Sequence, residues 1–244
     1  MKGSKIKDFF EKGYAIIEGL YSPAEIALME RSFNSLQEKA LLLKSTREVD
    51  NSLFVVDTGR IHRIVWCCGA APELASFATD RRMTSIVQDI LKSPVFDQII
   101  CQAHFKLPGD EVAFPWHQDS EHRRYGSAEW SDVTGTGSFV QTLTAIDEVT
   151  EENSPLFLIP GSHKMGHLSL NVANNKDRFV DESQMIPALL KPGSTIFFHP
   201  YLIHASFPNQ SDKSRRVFIN GYSSPGANHR VYPGCGLGKR ISLL

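Results

Sequence analysis

The sequence lacks an excess of either charge: 26 Lys and Arg stand against 27 Asp and Glu over 244 residues, a formal net charge of −1. No overall field exists to hold nucleic acid or an anionic membrane, so the expected partner is a small molecule. Cysteine is scarce. Cys67, Cys68, Cys101 and Cys235 form neither a CxxC pair nor a disulfide framework. Neighbouring cysteines such as Cys67 and Cys68 rarely bond each other, so all four read as reduced thiols of a cytoplasmic protein. The start, MKGSKIKDFFEKGYAIIEGL, carries mixed charge without an apolar signal segment, and no apolar run reaches the length of a membrane span. Secretion and membrane insertion are both disfavoured. Internal repeats, low-complexity tracts and linkers are missing too, and the length suits one catalytic domain over residues 1–244.

What is present divides in two. The stretch to about residue 92 reads as the helical part. Ser22, Pro23 and Glu25 have the form of a capping box with proline at the first helical position, and Ile26, Met29, Phe33, Leu36 and Ala40 then make one apolar stripe at three- and four-residue steps. From about residue 93 short apolar or alternating runs, VFDQIICQAHF, SFVQTLTAI, PLFLIP, STIFF and RVFINGY, are separated by turn signals such as PGD, GTG and KPGS. That rhythm predicts a mainly β core, an antiparallel barrel or sandwich, with flanking helices. Residues 120–137, rich in Gly, Ser and charge, form a long connection between two strands and are expected to be a lid.

The chemistry starts at FPWHQDSEH. His117 and Asp119 are two residues apart, a spacing that puts both side chains on one face of an extended chain. One imidazole and one carboxylate need a later histidine to complete the facial triad that leaves three positions open on Fe(II). His199 and His204 are both near enough in STIFFHPYLIHASFPNQSDKSRR, but their odd separation keeps them from facing the same way. Arg215, eleven residues after His204, can grip the distal carboxylate of 2-oxoglutarate bidentately, and this pairing selects His204. The cosubstrate then takes two of the open iron positions and O2 the third. Other histidines have weaker claims. His122 would make a zinc cluster with His117 and Asp119 only with a fourth ligand, and no cysteine is near. His163 and His167 follow a Pro-Gly turn and serve loop hydrogen bonds. His62, His104 and His229 lack a ligand partner at suitable spacing and read as satisfied core or surface residues.

FPWHQDSEH, SPLFLIPGSHKMGH and HASFPNQSDKSRR resemble the corresponding motifs of the phytanoyl-CoA dioxygenase family, and the helical start and the ending GANHRVYPGCGLGKR look similar to bacterial members. The resemblance implies a double-stranded β-helix, of the jelly-roll or cupin-like kind. It also implies a dioxygenase using Fe(II), 2-oxoglutarate and O2, with release of succinate and CO2. Carried onto this sequence, it makes His117, Asp119 and His204 the iron ligands and Arg215 the 2-oxoglutarate anchor, with Ser206 a further hydrogen-bond partner and Arg216 the outward neighbour. Asp119 supplies the carboxylate that halogenating relatives lack, so hydroxylation is expected. Substrates of the family run from acyl-CoA esters to amino acids, compatible solutes and natural products; a small polar metabolite is the preferred reading, with a lipid-like substrate or a catalytically silent barrel as alternatives. Arg123, Arg124, Tyr125 and Trp130 in the loop after the HxD offer charge and aromatic surface for it. On the strands, Gln102, Lys106 and Gln141 are polar among apolar neighbours. Gln102 is expected at the cosubstrate and Gln141 at the substrate.

Overall fold

The computed structural model describes residues 2–57 and 60–244. The first part holds α1 (Lys2–Lys12), β1 (Tyr14–Ile17), α2 (Pro23–Leu41), β2 (Ser45–Val49), β3 (Ser52–Asp57), β4 (Arg60–Val65), α3 (Leu74–Ala78) and α4 (Arg81–Leu91). Then come β5 (Val95–Lys106), β6 (Phe114–His117), α5 (Asp119–His122), β7 (Phe139–Ala145), β8 (Leu156–Leu158), α6 (Asn175–Phe179), β9 (Ile186–Ala188), β10 (Thr195–Phe198), β11 (His204–Ser206), β12 (Arg215–Ser223) and β13 (Lys239–Ser242).

The α2 capping box forms as its sequence dictates: the Ser22 side chain accepts from the Glu25 amide while Glu25 accepts from the Ser22 amide. Ile26, Met29, Phe33, Leu36 and Ala40 are all buried along one face. Phe33 carries that face onto the sheet, its ring 5.5 Å from Phe105 and 6.4 Å from Phe218. The stretch to residue 92 is less helical than expected, because it also supplies four strands to the larger sheet.

Two antiparallel sheets result. The nine-stranded one runs β1-β10-β7-β12-β5-β4-β3-β2, with β13 also paired to β5; the four-stranded one runs β6-β11-β8-β9. The two stay separate ladders, so the enclosure is a two-sheet jelly roll. Every residue of β7 is buried, which follows from its central place: one face meets the helices and the other meets the cavity between the sheets. Gly221 in β12 is required by close approach, since a Cβ there would lie 2.7 Å from the Phe139 ring and 2.9 Å from Ile100 Cβ.

One reading of the cysteines is overturned. Cys68 and Cys101 are disulfide-bonded, with Cα atoms 6.6 Å apart, while Cys67 and Cys235 are free. Sequence distance hid this pair. The turn after β4 folds onto the adjacent strand, where the Cys67 amide donates to the Cys101 carbonyl at 2.8 Å, and this places Cys68 over β5. The thiol argument for a cytoplasmic location is thereby removed. Among the described residues no helix is long and apolar enough to cross a membrane.

Candidate active site

His117 ends β6, and Asp119 opens α5 one residue beyond the strand, so the pair sits at a strand-to-helix junction and not on a continuous strand. Gln118 between them points the other way and fixes the junction. Its amide nitrogen donates to the Gly166 and Tyr201 carbonyls at 2.9 and 2.7 Å, and its oxygen accepts from the Leu168 amide at 2.8 Å. On the neighbouring strand β11, His204 is the direct cross-strand partner of His117, with ring centroids 4.1 Å apart.

Backbone carbonyls set both imidazoles. A carbonyl only accepts, so the contacts of His117 Nδ1 with Pro115 O at 2.7 Å and of His204 Nδ1 with Leu202 O at 2.9 Å place the proton on Nδ1. The Nε2 lone pairs are left for a ligand. His204 Nε2 lies 4.0 Å from Asp119 Oδ1, and donor atoms of His117, Asp119 and His204 all lie within 4.8 Å of one another. Burial holds the His204 imidazole well below its ordinary pKa, hence neutral, and Asp119 Oδ2 is buried with no partner. Two imidazoles presenting Nε2 and a carboxylate with an unpartnered oxygen suit Fe(II). His199 is elsewhere, packed on Phe9 and His163, with Nδ1 accepting from the Tyr201 amide at 3.2 Å.

These ligands open on a cavity of about 510 Å3 between the sheets that also contains Gln102, Gln141, Ser206 and Arg215. Arg215, the first residue of β12, is buried, donates from Nη2 to Ser206 Oγ at 3.0 Å, and keeps its Nε unpartnered. Burial lowers its pKa to about 10, and no carboxylate lies within ion-pair distance among the described residues. A guanidinium so placed needs an anion. Gln102 Oε1 takes a hydrogen bond from His104 Nε2 at 2.8 Å, and Gln141 Oε1 is buried and unpartnered.

Four of the loop residues fare differently. Arg123 is buried on the cavity wall. Arg124 is exposed and faces Glu129 at 4.0 Å, while Tyr125 and Trp130 stack on each other at 4.8 Å and sit behind the wall. Their apolar surface is spent on ordering the loop: Tyr125 donates to the Gly137 carbonyl and Trp130 packs edge-on against Phe139. Sequence reasoning missed Arg63, His104, His122, Arg230 and Tyr232, which also line the cavity. His104 carried a signal, being two residues from Gln102 on the same face of β5. Arg230 and Tyr232 lie outside the strands, Tyr232 in an isolated bridge to Gly236, where periodicity has nothing to say.

Arg216 points away from the cavity, as expected of the outward neighbour, but it is not idle. Its Nε and Nη2 grip the two Asp147 oxygens at 2.9 and 2.7 Å, and Nη2 also reaches Glu30 at 3.2 Å. Arg216→Ala should therefore cost about 1.5–3 kcal/mol of stability and leave the 2-oxoglutarate Michaelis constant unchanged. Urea unfolding beside steady-state kinetics separates the two effects.

Lys106 is buried near Arg215, donating to Ser154 Oγ at 2.8 Å and to the Phe207 carbonyl. Burial first, and the Arg215 charge second, lower its pKa from 10.5 to about 6, against a small opposing pull from Asp110. Between those values the unfolded chain binds a proton that the folded chain does not, so stability rises with pH from about 6 towards 10.5. Lys106→Met should flatten that rise in urea midpoints; an unaltered pH slope in the variant would assign it to other groups.

The sequence model of the phytanoyl-CoA dioxygenase (PhyH) family matches residues 9–217, a span that contains all three ligand candidates and Arg215. The chain belongs to this family. It is a non-haem Fe(II)- and 2-oxoglutarate-dependent dioxygenase. L-proline trans-4-hydroxylase of Streptomyces griseoviridis is 26% identical over 166 residues, 58% of this chain and 59% of that protein, so the alignment spans less than two thirds of that relative. Phytanoyl-CoA dioxygenase domain-containing protein 1 of Danio rerio is 24% identical over 87% of each chain. Among solved structures, EctD from S. alaskensis with 2-oxoglutarate and 5-hydroxyectoine superposes with a TM-score of 0.74 over 92% of this chain and 76% of that one, at 22% identity, which shows the shared fold.

Proposed function

We propose that this family member hydroxylates an unactivated C–H bond of a small polar metabolite, with His117, Asp119 and His204 holding Fe(II) and Arg215 with Ser206 holding 2-oxoglutarate. The observation that carries the reading is a pair of buried, unsatisfied groups in one cavity: Asp119 Oδ2, on the carboxylate that neighbours His204 Nε2, and Arg215 Nε. Each costs stability unless a cation and an anion, respectively, arrive. Iron with 2-oxoglutarate and O2 supplies the oxidising power when bound. The protein's part is placement. The Nδ1 contacts to Pro115 and Leu202 keep both Nε2 atoms aimed at one point, and Gln118 keeps Asp119 beside them. Arg215, held by Ser206, offers a preorganised fork to a distal carboxylate. Leu143, Phe198 and Ile219 line the wall between these poles and keep water from the reacting atoms. The residues 120–137 connection closes over the substrate in this reading, since it begins at the metal ligands and brings Arg123 to the wall.

A cavity of about 510 Å3 that must take both cosubstrate and substrate favours a compact metabolite over an acyl-CoA ester. Amino acids, as used by the proline hydroxylase relative, and compatible solutes fit that size class. Succinate release measured with and without Fe(II) across a panel of such metabolites tests the reading. Folded, iron-loaded protein that forms no succinate with any candidate, nor slowly without one, would refute it.

A further inference from the structure

The charge in the cavity does not close on the groups assigned above. Fe(II), Asp119, a 2-oxoglutarate dianion and Arg215 together cancel, yet Arg63, Arg123 and Arg230 also line the cavity and, among the described residues, Asp119 is its sole acidic lining residue. Among the described residues no carboxylate lies within ion-pair distance of any of the three, although Arg60, Arg82, Arg124, Arg216 and Arg240 all have one.

Arg123 is the most telling. It is 8% exposed, its Nη1 donates to the Tyr232 hydroxyl at 3.1 Å, and its Nε is buried without a partner. The guanidinium stands 5.7 Å from the Phe139 ring centre and 5.3 Å from that of Tyr232. Such ring contacts recover less than it costs to take a cation out of water. Arg230 stands on the same Tyr232 ring at 5.1 Å, and its Nη1 donates to the His122 carbonyl at 3.3 Å. Arg63 reaches in from β4, where it is the cross-strand neighbour of His104, and its pKa is lowered by burial and then by the charge of Arg123. Three cations brought together without an acid repel one another, and a structural role would have supplied a carboxylate.

We infer that the substrate carries a multiply charged oxyanion head, phosphonyl, phosphoryl or paired carboxylate, which Arg123 binds together with Arg63 and Arg230 beside the Tyr232 ring, separately from the Arg215 pole. This rests on the dioxygenase reading and narrows its substrate class. The planar forks suit a multidentate oxyanion, and Tyr232 offers its face to both arginines so that they stay in place when the anion leaves.

The test uses the full chain loaded with Mn(II) in place of iron and saturated with 2-oxoglutarate, so that binding is read without turnover. Phosphonoacetate, tricarballylate and L-proline are titrated by calorimetry, with retention of 2-oxoglutarate checked after ultrafiltration. At least one of the two anions should bind ten-fold or more tighter than L-proline, and which of them does so separates a phosphonyl from a carboxylate head. Arg123→Gln and Arg230→Gln should each weaken that anion about ten- to a hundred-fold, with Arg123→Lys retaining part, while Mn(II) and 2-oxoglutarate affinities stay unchanged. If neither anion outbinds L-proline, displaces nothing and leaves no heat, or if binding survives Arg230→Gln and Arg123→Lys undiminished, the inference is overturned. Parent protein that takes up neither Mn(II) nor 2-oxoglutarate would overturn the dioxygenase reading itself, and the inference with it.

Discussion

Replacing His117, Asp119 or His204 with alanine should bring iron content and succinate formation to background, while circular dichroism and the cooperative urea transition persist. The core does not depend on the metal: the two larger apolar clusters draw on the helices and on strands of both sheets, and neither includes His117, Asp119 or His204. The three variants should differ in metal-free stability, and the difference is diagnostic. Asp119 is buried with one oxygen unsatisfied. Its removal relieves a desolvated carboxylate, so the metal-free Asp119→Ala protein should melt at or above the parent temperature. His204→Ala removes a buried ring packed on Phe198 at 5.1 Å and should melt lower. A group that costs stability where it stands and gains it back only with a ligand is a functional group. His199→Ala should keep its iron, because His199 belongs to the contact with Phe9 and His163. Iron retained by His204→Ala and lost by His199→Ala would reverse the assignment.

Arg215→Ala should raise the Michaelis constant for 2-oxoglutarate by roughly 1.5 to 3.5 decades, the loss of about 2–5 kcal/mol expected when one partner of a buried charge pair is truncated. Iron binding should be unaffected, since Arg215 meets Ser206 and not a ligand. Arg215→Lys tests the fork separately from the charge. A lysine restores a cation but not two parallel donors, so an intermediate constant is expected. Equal constants for Arg215→Ala and the parent would remove the cosubstrate from this pole of the cavity.

Much of this was legible before any coordinates because local chemistry decides it. The α2 capping box needs only Ser22 and Glu25, and its apolar stripe needs only the helical period. The HxD spacing anticipated that His117 and Asp119 share a side, although the chain turns helical at Asp119 and Gln118 does the fixing. Three things were beyond local reading. The strand β2 is exposed along most of its length, so no alternation marked it as sheet. The strands β8, β9 and β11 are three residues each, too short to show a period. The Cys68–Cys101 bond joins residues 33 apart and depends on the packing of the turn after β4 against β5. The arginines Arg63 and Arg230 were missed for a related reason: one is on a strand in the stretch read as helical, the other in coil, and only the enclosure between the sheets brings them to Arg123.

The cross-strand pairing of His117 with His204 has a kinetic consequence. The four-stranded sheet is made of strands no longer than four residues, and β6–β11 is its outer ladder. A metal held by both strands acts as a rivet across that ladder. With His117 and His204 as ligands, opening of the smaller sheet would part them and release the metal, whereas the nine-stranded sheet can stay shut. Loading the metal should slow amide exchange around Phe114–His117 and His204–Ser206 while hardly altering β7 and β12. The residence time of iron would thus depend on the lifetime of the smaller sheet as well as on the ligands, a clock set in part by the fold.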